Sequence, residues 1–475
     1  MRRFIWAIVF VTSFCFGQDE HSNALNKLSI EQLKSDFSLL ANTLMEVHPG
    51  VYHFISADSL NLLSQKFLSE FTEPLSEEAF HLVIRRFIRV IGCGHITAKP
   101  SSKWYEDRLA NPYLLPLNVY IIDSSLYVRG TLDRADTILP GWRILSIDGV
   151  SSPTLLKELN AIHERDGFNE TFERKKIEKS FQTYYLFLAG IKTEFEVEFE
   201  SLDQDTVRLT LNYAKTRLAQ KDPAIVFNEK IVAQSNEFGI LSMDSTIGLL
   251  DLNSFDAKGY KKFYKKGFKL LHEQNVENLV IDLRGNGGGY FPNGNQLLRY
   301  LMPGDFSTNF WTTKKKVRRT KYLSMDIGSR ITRKLFNLMP DTDKTDPNRN
   351  YEIRYRKMKR NHFDGRVIVF TDGATFSMGS YVTSKLKNEA NALVIGEETG
   401  GGEAGFNAVL SWSLELPTSK IRISIPNYHI NLLENPAQIG RGVIPSIPIS
   451  YSIQDKLSQK DLELEYLVNF LQNSK

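Results

Sequence analysis

Apolar residues recur at three- and four-residue spacing between Ser29 and Gly94. Leu33, Phe37, Leu40, Leu44 and Val47 form one stripe, which predicts an amphipathic helix. Ser29 with Gln32 makes a capping box at its start, and His48-Pro49-Gly50 stops it. A second helix is predicted over Ser59–Phe71 and a third over Glu77–Ile91. The third ends in Gly92-Cys93-Gly94-His95, so His95 falls on a loop just past a helix end. From Pro112 to Lys215 the period shortens. Val119–Ile122 and Leu126–Val128 flank Asp123-Ser124-Ser125, a hairpin pattern, while Phe195/Val197/Phe199 and Val207/Leu209/Leu211 alternate strictly. Ser152–Ile162 reads as a helix inside this β-rich stretch. Beyond Phe238, short apolar runs alternate with helical stretches. Gly239–Met243, Gly248–Leu252 and Leu279–Asp282 read as strands, Ala257–Gln274 and Gln296–Leu301 as helices. Pro303–His362 shows no clear period, Leu414–Pro426 contains a strand, and Leu462–Leu471 is a closing helix.

The sharpest pattern lies between Gly365 and Gly405. Val367–Phe370 is a buried-strand run, Thr371-Asp372-Gly373 breaks it, a helix begins near Ser377, and Leu393–Ile395 is a second strand running into glycines. A serine at a helix start stands where free helix N–H groups and the positive end of the helix dipole can stabilise a developing oxyanion. Ser377 in that position is either a helix N-cap or a nucleophile, and the two readings are compatible.

A chain of 475 residues exceeds one compact core and implies two to four domains. The expected division is a leader over 1–17, a helical domain over 18–105, a β-rich domain over 112–215 and an α/β domain over 227–475, with 303–362 as an insertion. A formal charge of +4, from 59 basic and 55 acidic residues, makes no case for nucleic acid. The basic run Lys314–Lys321 reads as a solvated face, with a membrane-surface or acidic-partner role as the alternative. Arg2 and Arg3 followed by the apolar Phe4–Phe14 read as a secretory leader too short to span a bilayer, cleaved after Gly17. Lipidation of Cys15 is disfavoured by the bulky Phe14 before it, and after cleavage only Cys93 remains. No later membrane span, metal-ligand spacing or cofactor fingerprint is found.

Several passages together resemble the C-terminal-processing, or tail-specific, protease family and its tricorn-like relatives. Asp282-Leu-Arg-Gly-Asn-Gly-Gly-Gly289 resembles the family's glycine-rich strand end, and Thr375-Phe-Ser-Met-Gly-Ser380 its nucleophile segment. Gly396-Glu-Glu-Thr-Gly400, Gly442-Val-Ile-Pro445 and Lys460-Asp461 follow in the family's order, and Pro140-Gly141 through Ile147-Asp-Gly149 resembles its PDZ-like domain. The resemblance implies a multidomain α/β protein. It would have an N-terminal helical segment, a PDZ-like β-rich domain and a crotonase-like, ClpP-like peptidase core. The chain departs from the pattern at three places. The loop Gly400–Gly405 has no lysine to pair with the serine, Ser380 replaces a glutamate, and Ser446 replaces an aspartate. Tricorn-like members use a histidine from an earlier loop instead, which His95 matches, although Gly94 stands where they have a serine.

The resemblance thus implies a serine peptidase acting on peptides or unfolded proteins. Ser377 is the nucleophile and His95 the base, with Glu434 at the distance of the family's supporting glutamate. Gly287, Gly288 and Met378 supply the oxyanion hole. Leu115 and Leu117 mark the expected peptide-binding loop of the PDZ-like domain. Lys385 and Lys387 remain alternative bases. Two other readings stay open: a non-catalytic binder of peptides or small hydrophobic ligands on the same scaffold, and a non-peptide acyl hydrolase.

Overall fold

The computed structural model describes residues 27–110, 112–133, 137–216, 226–313, 320–433 and 438–473. The proposed leader, with Cys15 and Gly17, lies outside them. Three sheets organise the described residues. The central one has seven strands in the order Ile447–Pro448, Leu393–Gly396, Arg366–Thr371, Asn278–Asp282, Ile247–Asp251, Asn236–Leu241 and Phe227–Ala233. Its first four pairings are parallel and its last two antiparallel. All five residues of Asn278–Asp282 are buried, which explains why the sequence reads there as one apolar run without alternation. Helices Tyr260–Glu273, Phe291–Leu301 and Met378–Ala390 share one hydrophobic core with this sheet, and Leu462–Gln472 packs Leu467 and Leu471 against its other face.

The second sheet is antiparallel, in the order Leu323–Ser324, Gly405–Glu415, Arg422–Asn431, Phe306–Thr313 and Asn348–Tyr355, with Thr97–Lys99 added onto Arg422–Asn431. It resolves the region 303–362 that has no readable period. The outer strands Phe306–Thr313 and Asn348–Tyr355 flank a helix, Ile327–Phe336. The N-terminal helices Ile30–Val47, Ala57–Glu70 and Glu77–Arg89 have no separate core. Phe37, Phe80, Phe87 and Ile88 pack in one cluster with Leu414, Ile423 and Ile425 of this sheet. The Ser29–Gln32 capping box forms as read from the sequence.

The third sheet, Leu117–Ile122, Ser125–Thr131, Arg143–Ile147, Glu194–Glu200 and Thr206–Asn212, is a small antiparallel domain. A 19-residue helix, Thr171–Ala189, packs on it and has no counterpart in the sequence reading; its stripe is interrupted by a kink at Ser180. Leu115 and Leu117 correct the expectation of a peptide-binding loop. Both side chains are buried in this domain's core, the Leu115 carbonyl accepts from Gln182 Nε2 (2.8 Å), and Leu117 pairs with Thr131. Neither offers a free surface to a peptide.

Buried Asp36 fastens the first helix to the second sheet. Its carboxylate accepts from the N–H groups of Thr418 (3.2 Å) and Ser419 (2.8 Å) and from the Ser419 hydroxyl (2.8 Å). Asp36→Ala strands those donors, and we expect a loss on the order of 3 kcal/mol by urea unfolding, with Asp36→Asn losing less. An unchanged midpoint in Asp36→Ala would mean that water replaces the carboxylate.

Candidate active site

The strand Arg366–Thr371 delivers the chain to a turn fixed from both sides. Asp372 accepts from the N–H groups of Ala374 (3.0 Å) and Gly285 (2.9 Å), and Thr375 Oγ1 donates to the Leu283 carbonyl (2.7 Å). Burial opposes the Asp372 charge, but Lys175 and these donors outweigh it and hold its pKa below the usual carboxylate value. The N–H of Phe376 donates to the Asn286 carbonyl (2.9 Å), so the turn and the glycine-rich loop 284–289 form one unit.

Ser377 follows with φ of 54° and ψ of −116°, a conformation an L-residue adopts only under constraint. It occupies the N-cap position of the helix Met378–Ala390, yet its side chain makes no cap bond. The hydroxyl is therefore not engaged in the bland role its position suggests. Two glycines press on it. A Cβ on Gly288 would lie 2.7 Å from Ser377 Cβ, 3.1 Å from Ser377 Oγ and 3.0 Å from Met378 N, and one on Gly401 would lie 3.0 Å from Ser377 N. Only glycine allows this approach. Ser380 holds Gly401 in place, donating to the Thr375 carbonyl (2.8 Å) and accepting from the Gly401 N–H (3.1 Å).

The expected oxyanion donors divide. The Met378 N–H opens the helix and the Gly287 N–H lies on an exposed loop; neither has an acceptor among the described residues. Gly288 differs from expectation, because its N–H donates to Asn286 Oδ1 (2.8 Å). Its contribution is space rather than a hydrogen bond.

His95 reaches this site from the other end of the sequence. Its ring stacks on Phe376, the residue before Ser377 (centres 4.5 Å apart, planes at 27°), and on Phe406 (5.3 Å, 11°). Both ring nitrogens are buried with no hydrogen-bond partner among the described residues, so no bond to Ser377 Oγ is formed. Burial, with a smaller contribution from Lys176, pushes its pKa down to about 3, so the imidazole is neutral at physiological pH. Lys385 and Lys387 turn elsewhere. Lys385 pairs with Glu389, and Lys387 with Glu403 (3.0 Å) and the Ile444 carbonyl (2.9 Å). Burial, with the Asp166 charge, pushes the Cys93 thiol well above its ordinary value, which keeps it protonated. Glu434 lies outside the described residues.

Asp166 has no signal in the sequence pattern, yet it joins the site's two loops. It sits between the helices Ser152–Ala161 and Thr171–Ala189 of the small domain and is fully enclosed. Its oxygens accept from the N–H of Gly94 (2.7 Å), the residue before His95, and from the N–H of Gly402 (3.3 Å), the residue after Gly401. Burial raises its pKa to about 7, against the two N–H donors. Its neighbours extend the join: Gly167 N–H donates to Gly92 O (2.9 Å), Phe168 N–H to Gly440 O (2.8 Å), and Asn169 Nδ2 to Glu398 Oε1 (3.0 Å) and Thr399 O (2.9 Å).

The motifs singled out in the sequence meet in pairs. Glu398 binds the Arg441 guanidinium and the Gly442 N–H (2.7 Å), and Thr399 Oγ1 accepts from Val443 N–H (2.8 Å), so Gly396–Gly400 lies against Gly442–Pro445. Arg284 binds Asp282 (2.6 Å) and Asp461 (2.9 Å), joining the glycine-rich strand end to Lys460-Asp461. Among the described residues, no group of three or more His, Cys, Asp or Glu is arranged to hold a metal ion.

The family model described as Peptidase family S41 matches residues 246–447, the span that holds the glycine-rich loop, Ser377 and the loop 398–402. The fold is similar to that of mature CPAF complexed with lactacystin, at a TM-score of 0.66 and 15% identity over 93% of this chain and 97% of that one. It is likewise similar to mature CPAF, at 0.64 and 14% identity over 92% and 96%. No curated protein sequence matches the chain. The family match is to serine-type peptidases, and the fold agrees with it. Residues 246–447 form a domain that matches the S41, tail-specific, family of these enzymes.

A neutral buried histidine also leaves a mark on stability. Unfolded, His95 titrates near 6.5; folded, near 3. Between these values the unfolded state binds the extra proton, so His95 lowers stability as pH falls, by about 2 kcal/mol between pH 6.5 and 5. His95→Phe keeps the ring stack without a proton to gain, so its unfolding midpoint should fall less than that of the wild type over this range. Equal losses would mean that the imidazole is solvated.

Proposed function

We propose that the protein hydrolyses peptide bonds through an acyl-enzyme on Ser377, with His95 as the base. The carrying observation is the Ser377 backbone, held at positive φ on a strand-to-helix turn with its hydroxyl free of the N-cap bond. Ser377 Oγ attacks the scissile carbonyl carbon while its proton passes to the neutral His95 imidazole. The tetrahedral oxyanion takes hydrogen bonds from the N–H groups of Met378 and Gly287, aided by the positive end of the helix Met378–Ala390. Collapse breaks the C–N bond, and the protonated imidazole gives its proton to the leaving amine. Water then attacks the acyl-enzyme by the reverse proton path and restores Ser377. Asp166 positions the base by holding the Gly94 N–H against the loop that abuts Ser377. The charged and apolar run Arg2–Phe14 supports a secreted or periplasmic place of action.

His95 has to move within hydrogen-bonding distance of Ser377 Oγ for this chemistry, since no bond links them here. That gap is also what favours the second reading, a peptide or ligand binder on this scaffold without turnover. Labelling with a fluorophosphonate probe separates the two. We expect the purified protein to label, and labelling to be lost in Ser377→Ala and His95→Ala. No labelling of the wild type, under conditions in which an active relative labels, would favour the binder. Loss in Ser377→Ala alone would remove His95 as the base.

Positioning by Asp166 has its own signature. We expect Asp166→Ala to lower kcat on a peptide substrate about tenfold or more with little change in KM, because the loop carrying His95 is released while peptide-binding surfaces are untouched. Asp166→Asn, whose amide oxygen can still accept from Gly94, should recover part of that loss. Equal kcat in all three proteins would refute the role.

A further inference from the structure

The helix Ile327–Phe336 is turned the wrong way round for a soluble surface. None of its residues is fully buried. Ile327, Ile331 and Leu335, with Leu338 just beyond the helix, fall at i, i+4, i+8 and i+11, and they are 75, 55, 58 and 81% exposed. These four line one stripe, unlike scattered surface leucines. The helix is nonetheless firmly seated. Asp326 caps it by accepting from Ser329 N–H (2.9 Å), Phe336 packs on Phe310 (ring centres 5.3 Å) and Tyr428 (5.4 Å), and Arg333 lies over Trp412 (5.0 Å). The apolar stripe is thus presented outward by a fixed scaffold.

Its borders are cationic. Exposed Arg330 and Lys334 flank the stripe and make no ion pair among the described residues, while Arg333 lies inward over Trp412 and Arg349 closes the helix end by donating to the carbonyls of Asn337 (2.7 Å) and Met339 (2.9 Å). The described residues 320–339 hold four lysines and arginines against one aspartate, a net +3. An antiparallel two-fold pairing of this helix would bring the cationic edge formed by Arg330 and Lys334 alongside that of the other copy, which disfavours a second copy as the occupant. An apolar stripe with a basic border is the chemistry of a helix lying flat on an anionic bilayer, its aliphatic side chains among acyl tails and its cations among headgroup phosphates.

We propose that Ile327–Leu338 is a docking surface for anionic lipid membranes, by which the enzyme works at a membrane surface without spanning it. This goes beyond the peptidase reading and does not depend on Ser377 or His95. The test is co-sedimentation of the full chain, purified without its leader, with phosphatidylcholine vesicles containing about a third phosphatidylglycerol, and with phosphatidylcholine alone. We expect recovery with the anionic vesicles only, weakened by high salt. Ile331→Glu/Leu335→Glu and, separately, Arg330→Glu/Lys334→Glu should each reduce the partition coefficient about tenfold or more. Both variants alter exposed residues, so thermal unfolding and fluorophosphonate labelling should match the wild type and report the fold and the active site independently. Absence of wild-type binding to anionic vesicles, or equal binding by both variants, would overturn the proposal. So would light scattering that shows a dimer converted to monomer by Ile331→Glu/Leu335→Glu, since the stripe would then be a subunit interface.

Discussion

The site depends on holding one serine in a backbone conformation that its own side chain disfavours. Ser377 at φ of 54° costs on the order of 1–3 kcal/mol locally. That strain persists because three loops over-determine the turn. The glycine-rich loop binds Phe376 through Asn286, Asp372 ties the turn to Gly285, and Ser380 fixes Gly401 behind the Ser377 N–H. Gly288 and Gly401 come so close that a methyl group at either would collide with the serine. The same geometry leaves the hydroxyl out of the cap of the helix it begins, unlike that of an ordinary N-cap serine.

The second constraint is assembly from distant parts of the chain. His95 belongs to the helical lead-in and Ser377 to the parallel sheet, nearly 300 residues later. They are brought together by shared packing. The N-terminal helices share their core with Leu414, Ile423 and Ile425, and Thr97–Lys99 extends the second sheet directly after the His95 loop. Asp166, from the small domain, then joins that loop to Gly402. The arrangement brings the small domain to the candidate site, where its one buried carboxylate links loops of the other two regions.

Burial sets the protonation of the site. Burial of its ring nitrogens keeps His95, stacked on Phe376 and Phe406, neutral, and burial with the Asp166 charge keeps Cys93 a thiol. The absence of a lysine in Gly400–Gly405 is consistent with this environment: the loop packs its backbone against Ser377 and Ser380, where a long cationic side chain would have to be buried. Of the lysines that follow Ser377 on its helix, Lys385 and Lys387 are committed to Glu389 and Glu403.

Local chemistry alone determined a good deal of this protein. The stripe Leu33–Val47 with its Ser29 cap, the apolar run ending at Asp282, the alternation at Phe195–Phe199 and the strand-turn-helix at Ser377 were legible because each depends on neighbours within one or two turns of chain. The segment 303–362 and the helix Thr171–Ala189 were not, since one is an outer pair of strands around an outward-facing helix and the other is broken by a kink at Ser180. Leu115 and Leu117 were misread because apolar residues look alike in sequence whether they line a groove or fill a core. Only the tertiary structure decided that Gly288 gives room rather than a hydrogen bond, that His95 stacks on two phenylalanines with its ring nitrogens buried, and that Asp166 joins the loops of the candidate site. The physical reason is common to all three. Each follows from close approach of segments far apart in the chain, and the free energy of such contacts depends on burial and distance, which no periodicity in the sequence encodes.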